Sequence, residues 1–125
     1  MPTIIVVFLD FGTKFKETPK NVVENAGEEL KIPCAPPDGY PTPTVDWYKN
    51  GEFLNIDGER IKYENDNLIF TKLQGSDTGF YLCRAENAAG KLESEAIKLS
   101  VKSKSFFEIK NFVKYVIQQF SCQKM

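Results

Sequence analysis

The stretch Asp77-Thr78-Gly79-Phe80-Tyr81-Leu82-Cys83 decides how the rest of the chain is read. As a strand it places Tyr81 and Cys83 on one face, because side chains alternate with period two. Leu30, Ile32 and Cys34 form a second alternating run, so Cys34 could meet Cys83 across a core. A third run, Thr44 to Lys49, turns Val45 and Trp47 inward, which would lay the indole over the two sulfurs. Arg60 to Tyr63, Asn67 to Leu73 and Lys91 to Val101 read as further strands. Leu68, Phe70, Ile97, Leu99 and Val101 point inward in the last two of these. Seven or eight short alternating strands divided by turn residues predict an all-β chain folded as two packed sheets.

At 125 residues there is room for one domain. The chain is 42% hydrophobic and 26% charged, with net charge −1, the make-up of a globular protein. Its charge is uneven. Gly12 to Val101 holds 11 Lys/Arg against 15 Asp/Glu, net −4; from Lys102 onward there are 5 against 1, net +4. An acidic body without a broad polycation argues against nucleic acid as partner and against strong polyanion binding. With no histidine, neither a Ser-His-Asp nor a Cys-His arrangement exists. Nor is there a cysteine cluster at zinc spacing or a glycine-rich phosphate loop. No enzymatic activity and no cofactor are expected.

Of the three cysteines, Cys34 and Cys83 suit a bridge between sheets and Cys122 is left over. Such a bridge implies an oxidising compartment, and closing a loop of about 50 residues stabilises by roughly 4 kcal/mol in the loop-entropy account. Two buried, reduced thiols in a cytosolic sandwich remain the alternative. Met1-Pro2-Thr3 carries no Lys or Arg, and the apolar run Ile4 to Leu9 is too short for a signal core with a cleavage site. No run approaches the roughly 20 residues of a membrane span. The chain therefore reads as a fragment of a longer secreted protein or as an intracellular one, and the fragment is favoured.

Residues 1–12 read as a leader or the remnant of a preceding domain's last strand, 13–101 as the domain, and 102–125 as a basic tail. Ile4 to Leu9 is a β-branched run, apolar on both faces, that Asp10-Phe11-Gly12 breaks. Pro19 interrupts the first strand of the domain, Phe15 to Val23, at an edge or a switch between sheets. Ala35 to Pro43 is a loop stiffened by four prolines, and Glu52 to Glu59 reads as irregular. In the tail, Phe106, Ile109, Phe112, Val113, Val116, Ile117 and Phe120 recur at spacings of three and four, which predicts an amphipathic helix. Such a helix could lie on a membrane surface or dock on a partner; more often it covers a patch of its own protein or belongs to a terminus that does not fold as read.

Arg60 and Asp77 are expected to pair across one corner, where the guanidinium fork suits a carboxylate. Tyr81 should tie its hydroxyl back to the backbone nearby, and Gly79 should leave space or take a backbone angle that suits only glycine. Binding is expected through the outer face carrying Asp46 and Tyr48, or through the proline-rich loop with Tyr40. Exposed tyrosines and stiff loops lose little entropy on docking.

Taken together, Gly27-Glu28, Cys34, Trp47-Tyr48-Lys49-Asn50-Gly51, Arg60, Leu68-Ile69-Phe70, Asp77 to Cys83, Ala85-Glu86-Asn87 and Gly90 resemble the I-set immunoglobulin domain over Phe15 to Val101. The resemblance implies an immunoglobulin-like β-sandwich. Cys34 to Trp47 and Arg84 to Glu95 further resemble the second immunoglobulin domain of Roundabout-type axon-guidance receptors, and Val6 to Phe15 resembles the link out of that family's first domain. What this implies is a non-catalytic cell-surface recognition module, exposed outside the plasma membrane. In that family the secreted ligand Slit is bound mainly through the first domain, with heparan sulfate assisting, so the partners implied here are a protein ligand or neighbouring immunoglobulin domains. The tail departs from that pattern, since no further Cys-Trp-Cys set follows Val101. An intracellular I-set spacer or scaffold of a muscle-type giant protein is the second reading, favoured by the absence of a signal and of Asn-x-Ser/Thr sequons.

Overall fold

A computed structural model of the chain describes Thr3, residues 8–103 and Ile117. Eleven strands lie among these residues: β1 Asp10–Phe11, β2 Val22–Asn25, β3 Leu30–Ile32, β4 Gly39–Tyr40, β5 Thr44–Lys49, β6 Glu52–Phe53, β7 Ile61–Glu64, β8 Asn67–Phe70, β9 Gly79–Asn87, β10 Gly90–Glu93 and β11 Ile97–Lys102. One sheet has the order β3-β8-β7. A second runs β2-β11-β9-β5-β6, with β10 also paired to β9, and β1 and β4 pair apart from both. Two sheets with buried inner faces make a β-sandwich. The proposed tail helix, Ile117 apart, and Ile4 to Val7 of the leader run lie outside the described residues.

Alternation sets the inner faces. On β5, Val45 and Trp47 are buried between exposed Thr44 and Asp46; on β9, Tyr81, Cys83 and Ala85 are buried. Trp47 stands opposite Cys83 in the β5–β9 ladder, and Cys83 is joined to Cys34 of the facing sheet with the Cα atoms 6.5 Å apart. Trp47, Leu68, Phe70, Cys83 and Leu99 keep no exposed surface, and Ile32 is buried with them. Leu30 is only half-buried, packed against the rim of this core. The Phe70 and Tyr81 rings meet edge to face, centroids 5.9 Å apart. The indole Nε1 donates to the Asp66 carbonyl at 2.9 Å, so its one polar atom is satisfied.

The chain ahead of β3 changes sheets. Glu17 bridges to Ala35 beside β3, whereas β2 runs parallel to β11 in the other sheet. Pro19 and Lys20 lie in the crossing between them, where no ladder needs an N–H from proline.

Four local expectations are corrected. Glu52 and Phe53 are not irregular: the Asn50-Gly51 turn, with φ of 51° and 82°, folds them back as β6 onto β5. Asp10 and Phe11 do not simply end the leader but form β1, paired with Gly39 and Tyr40 in the proline-rich loop. Lys91 to Val101 is two strands, because Ser94 turns inward at the break: its N–H donates to the Cys83 carbonyl and its Oγ accepts from the Cys83 N–H. Asp77 belongs to a short 3-10 turn, Gly75–Asp77, rather than to the strand that follows.

Candidate recognition surface

Position two in each strand period points away from the core, and these residues build the outer face of the larger sheet. Register aligns Phe53 of β6, Tyr48 of β5 and Leu82 of β9 in one row. The next row holds Asp46, Arg84 and Glu93, and the one after it Thr44, Glu86 and Lys91. Tyr48 and Phe53 meet edge to face at 5.9 Å. Phe53 is 59% exposed and Phe80, two residues from Leu82 on the same face, is 54% exposed. Tyr48 is half-buried rather than fully exposed, because Phe53 covers one side of its ring.

Arg84 sits at the centre of this face. Its Nη1 donates to the Tyr48 hydroxyl and its Nη2 faces Glu86 Oε2, both at 3.5 Å, while its Nε is buried with no partner among the described residues. A guanidinium carries five donors, and contacts at 3.5 Å satisfy them poorly. The hydroxyl of Tyr48, ahead of the charge of Glu86, holds the Arg84 pKa above its ordinary value.

The other residues singled out in the sequence belong to a brace. Asp77, buried, accepts from Arg60 Nη1 at 2.7 Å, from Arg60 Nη2 at 2.9 Å and from the Gln74 N–H at 2.8 Å. The hydrogen bond to Asp77 is the main reason the Arg60 pKa lies above its usual value. Tyr81 donates its hydroxyl to the Asp77 carbonyl at 2.5 Å. Gly79 leaves room for Asn50, whose Oδ1 would lie 2.9 Å from a Cβ there and instead accepts from the Phe80 N–H.

Tyr40, 60% exposed, is not brought to Asp46 and Tyr48: it lies in β4, opposite Asp10 of the leader. Asn87, named above only within the I-set resemblance, has a role that the sequence did not show: its Nδ2 donates to the Asp10 and Pro41 carbonyls at 2.7 and 2.8 Å. Sequence reasoning passed over Tyr63, whose hydroxyl accepts from the Trp47 N–H at 3.2 Å where β6 is too short to reach. Burial raises the Tyr63 pKa. Among the described residues no group of three or more Cys, Asp or Glu side chains is placed to hold a metal ion.

The span of this sandwich is the one that a known family covers: the immunoglobulin I-set domain model matches residues 13–101. The chain belongs to the immunoglobulin I-set family. As an I-set domain it is a non-catalytic binding module. Among relatives, it is 38% identical over 88 residues to Roundabout homolog 4 of Rattus norvegicus, covering 70% of this chain and 9% of that protein. The chain thus spans less than a tenth of this relative's length. Among solved structures, the N-terminal Ig1-2 module of the Drosophila receptor protein tyrosine phosphatase DLAR superposes with a TM-score of 0.68 at 29% identity, covering 71% of this chain and 45% of the module. The I-band fragment I67-I69 of titin gives 0.62 at 26% identity, covering 72% of this chain and 32% of that fragment. The likenesses to Roundabout homolog 4 and to DLAR support an immunoglobulin domain of the adhesion or axon-guidance receptor type.

Proposed function

We propose that the domain is an extracellular recognition module of an adhesion or guidance receptor and docks a protein partner through the outer face of its larger sheet. The observation that carries the face is Arg84: a central guanidinium whose Nη contacts are both 3.5 Å long, in the row beside Tyr48, Phe53 and Leu82. Arg and Tyr at the middle of an uncovered face are the residue types on which binding energy concentrates. Asp46 flanks them and stands opposite Arg84 in the ladder. Charges on this face balance, Asp46, Glu86 and Glu93 against Arg84, Lys91 and Lys98, which suits a protein surface better than heparan sulfate. Tyr40 offers a second, separate contact in the proline-rich loop.

Two measurements test the proposal. Thiol titration of unfolded, unreduced protein should find one reactive cysteine, Cys122; three reactive thiols would remove the extracellular assignment. Slit, the ligand that the family resemblance names, is the first probe for the face. Tyr48→Ala should weaken its binding by about tenfold or more. If Tyr48→Ala and Tyr40→Ala both bind as the wild type does, neither surface is the docking site. The likeness to titin favours a second reading, an intracellular spacer, and cytosolic staining of the full-length gene product with reduced Cys34 and Cys83 would establish it.

A further inference from the structure

Strand β3 leaves one edge of its sheet open. Along a strand, the backbone groups of successive residues point to opposite sides. The Glu28 carbonyl accepts from the Leu73 N–H at 2.9 Å and the Cys34 N–H donates to Asn67 Oδ1 at 3.0 Å, so even positions face β8. Odd positions face away from it. There Ala35 exchanges two hydrogen bonds with Glu17, at 2.9 and 3.4 Å. The cover ends at this bridge, because the chain crosses at Pro19 and Lys20 to join β11. Next on the same edge are the Lys31 N–H and C=O and the Pro33 C=O, which have no backbone partner among the described residues. An open-sided groove of about 450 Å³ occupies the gap, between the stretch Lys16 to Val22 on one side and Lys31 to Pro33 on the other.

The groove is basic although the body around it is acidic. Lys16, Lys20 and Lys31 line it against Glu17, and Lys31 and Lys62 stand on either side of Ile69 in the neighbouring ladder. Lys16 pairs with Asp38, whereas Lys20 and Lys31 make no ion pair among the described residues. An unpaired edge recruits another strand, and lysines on it repel the wrong ones. Two copies of this edge would set like charges against each other. The chain's own residues 102–125, net +4, are repelled in the same way. A strand with carboxylates at alternate positions meets both the free backbone groups and the lysines. We propose that the β3 edge takes an extended acidic segment of a partner protein as an added strand, paired to Lys31 and Pro33 with its carboxylates at Lys20 and Lys31. Main-chain hydrogen bonds give such docking its affinity and the alternate side chains its specificity. From Glu29 to Pro33 the edge is about 13 Å long, the span of a five-residue strand. A sulfated glycan would neutralise the lysines, but it has no evenly spaced N–H groups for the Lys31 and Pro33 carbonyls. The groove lies on the other sheet from Arg84 and stands whether or not that face docks a partner.

The probe is a blocked peptide of alternating glutamate and valine, added to the 15N-labelled chain and followed by amide hydrogen exchange. At millimolar peptide the Lys31 amide should exchange about tenfold more slowly or better, while that of Ile32, already turned toward β8, stays as it is. The same peptide with glutamine for glutamate should bind more weakly. Lys20→Glu combined with Lys31→Glu should weaken the acidic peptide by about tenfold or more, because two attractions become repulsions. Both lysines are exposed, so the variant keeps the fold, and an unchanged Tyr81 amide verifies it. Peptide that binds without slowing the Lys31 amide, or equal binding by the glutamine peptide, would overturn the proposal. So would capture of a heparin-derived oligosaccharide in the peptide's place. Protection of Lys31 that rises with protein concentration alone would hand the edge to a second copy and overturn it as well.

Discussion

Strand β9 begins at one polar brace and ends at another, and the two are built differently. At its start, Arg60, Asp77 and Tyr81 join side chains to one another and to one carbonyl, with Asp77 and Tyr81 buried. At its end, Asn87 and the β1–β4 pairing hold backbone to backbone at the exposed rim. Strength follows burial. A hydrogen bond replaced by water costs little, whereas a buried group left unpaired loses its solvation without return. The first brace should therefore belong to the global stability of the sandwich. The second should set the position of one segment and open independently.

Asp77→Ala is the severest way to break that distinction. It strands the Arg60 guanidinium, whose side chain is only 26% exposed, and leaves the Gln74 N–H without its acceptor. Removing one partner of a largely buried pair costs about 3 kcal/mol or more, against a total of roughly 5–15 kcal/mol for a domain. Urea unfolding should show this as a lower midpoint with an unchanged slope. A loss below about 1 kcal/mol would mean that this corner is no brace.

Tyr81→Phe removes a single hydroxyl and should cost about 1–2 kcal/mol, since the Asp77 carbonyl is left buried. It also carries a pH signature. Burial raises the Tyr81 pKa, the Asp77 charge adds to the rise, and Arg60 opposes it. A phenol whose folded pKa lies above its free value of about 10 gives its full stabilisation below that pH. As pH climbs past 10 the unfolded state ionises first, and stability falls. The wild-type midpoint should therefore drop through pH 10 to 11, and Tyr81→Phe should flatten that fall. Tyr63, shifted upward by burial as well, supplies a smaller share. A variant with the wild-type alkaline slope would show that the Tyr81 hydroxyl is not shielded.

The same contrast explains what could be read without coordinates. Cys34, Trp47, Tyr81 and Cys83 lie in runs whose period of two fixes the face of each residue, and the Arg60–Asp77 pair uses side chains of distinctive chemistry. The second brace gave no comparable signal. Its contacts are mostly backbone atoms, which every residue carries, and Asn87 reaches Asp10 across 77 positions of sequence. Asparagine favours turns whatever its amide holds, so the residue type alone did not point to Asp10. The β10–β11 break was hidden for a related reason: Ser94 looks like a surface residue until the Cys83 backbone is beside it. On the outer face, alternation placed Asp46 and Tyr48 correctly on one side of β5. It could not show that Arg84 stands opposite Asp46 and within reach of the Tyr48 hydroxyl, because that depends on which residues of β9 pair with β5.

Each brace also has an ion pair, and the smallest expected effect comes from comparing them. Lys16 and Asp38 approach to 2.5 Å beside the second brace, yet their side chains are 58% and 84% exposed. Exposed pairs contribute about 0–0.5 kcal/mol, because water screens the attraction and two long side chains must be held still. Lys16→Ala should leave the urea midpoint almost unchanged and, unlike Asp77→Ala, should leave the Gly12 amide, which donates to the Asp38 carbonyl, as protected as in the wild type. Adding salt to about 0.5 M should erase whatever difference remains, since the Debye length there is only a few ångströms. A loss approaching that of Asp77→Ala would mean that charge, rather than the Asn87 amide and the β1–β4 pairing, holds the leader. The two ends of β9 would then be braced by the same physics, and only their exposure would differ.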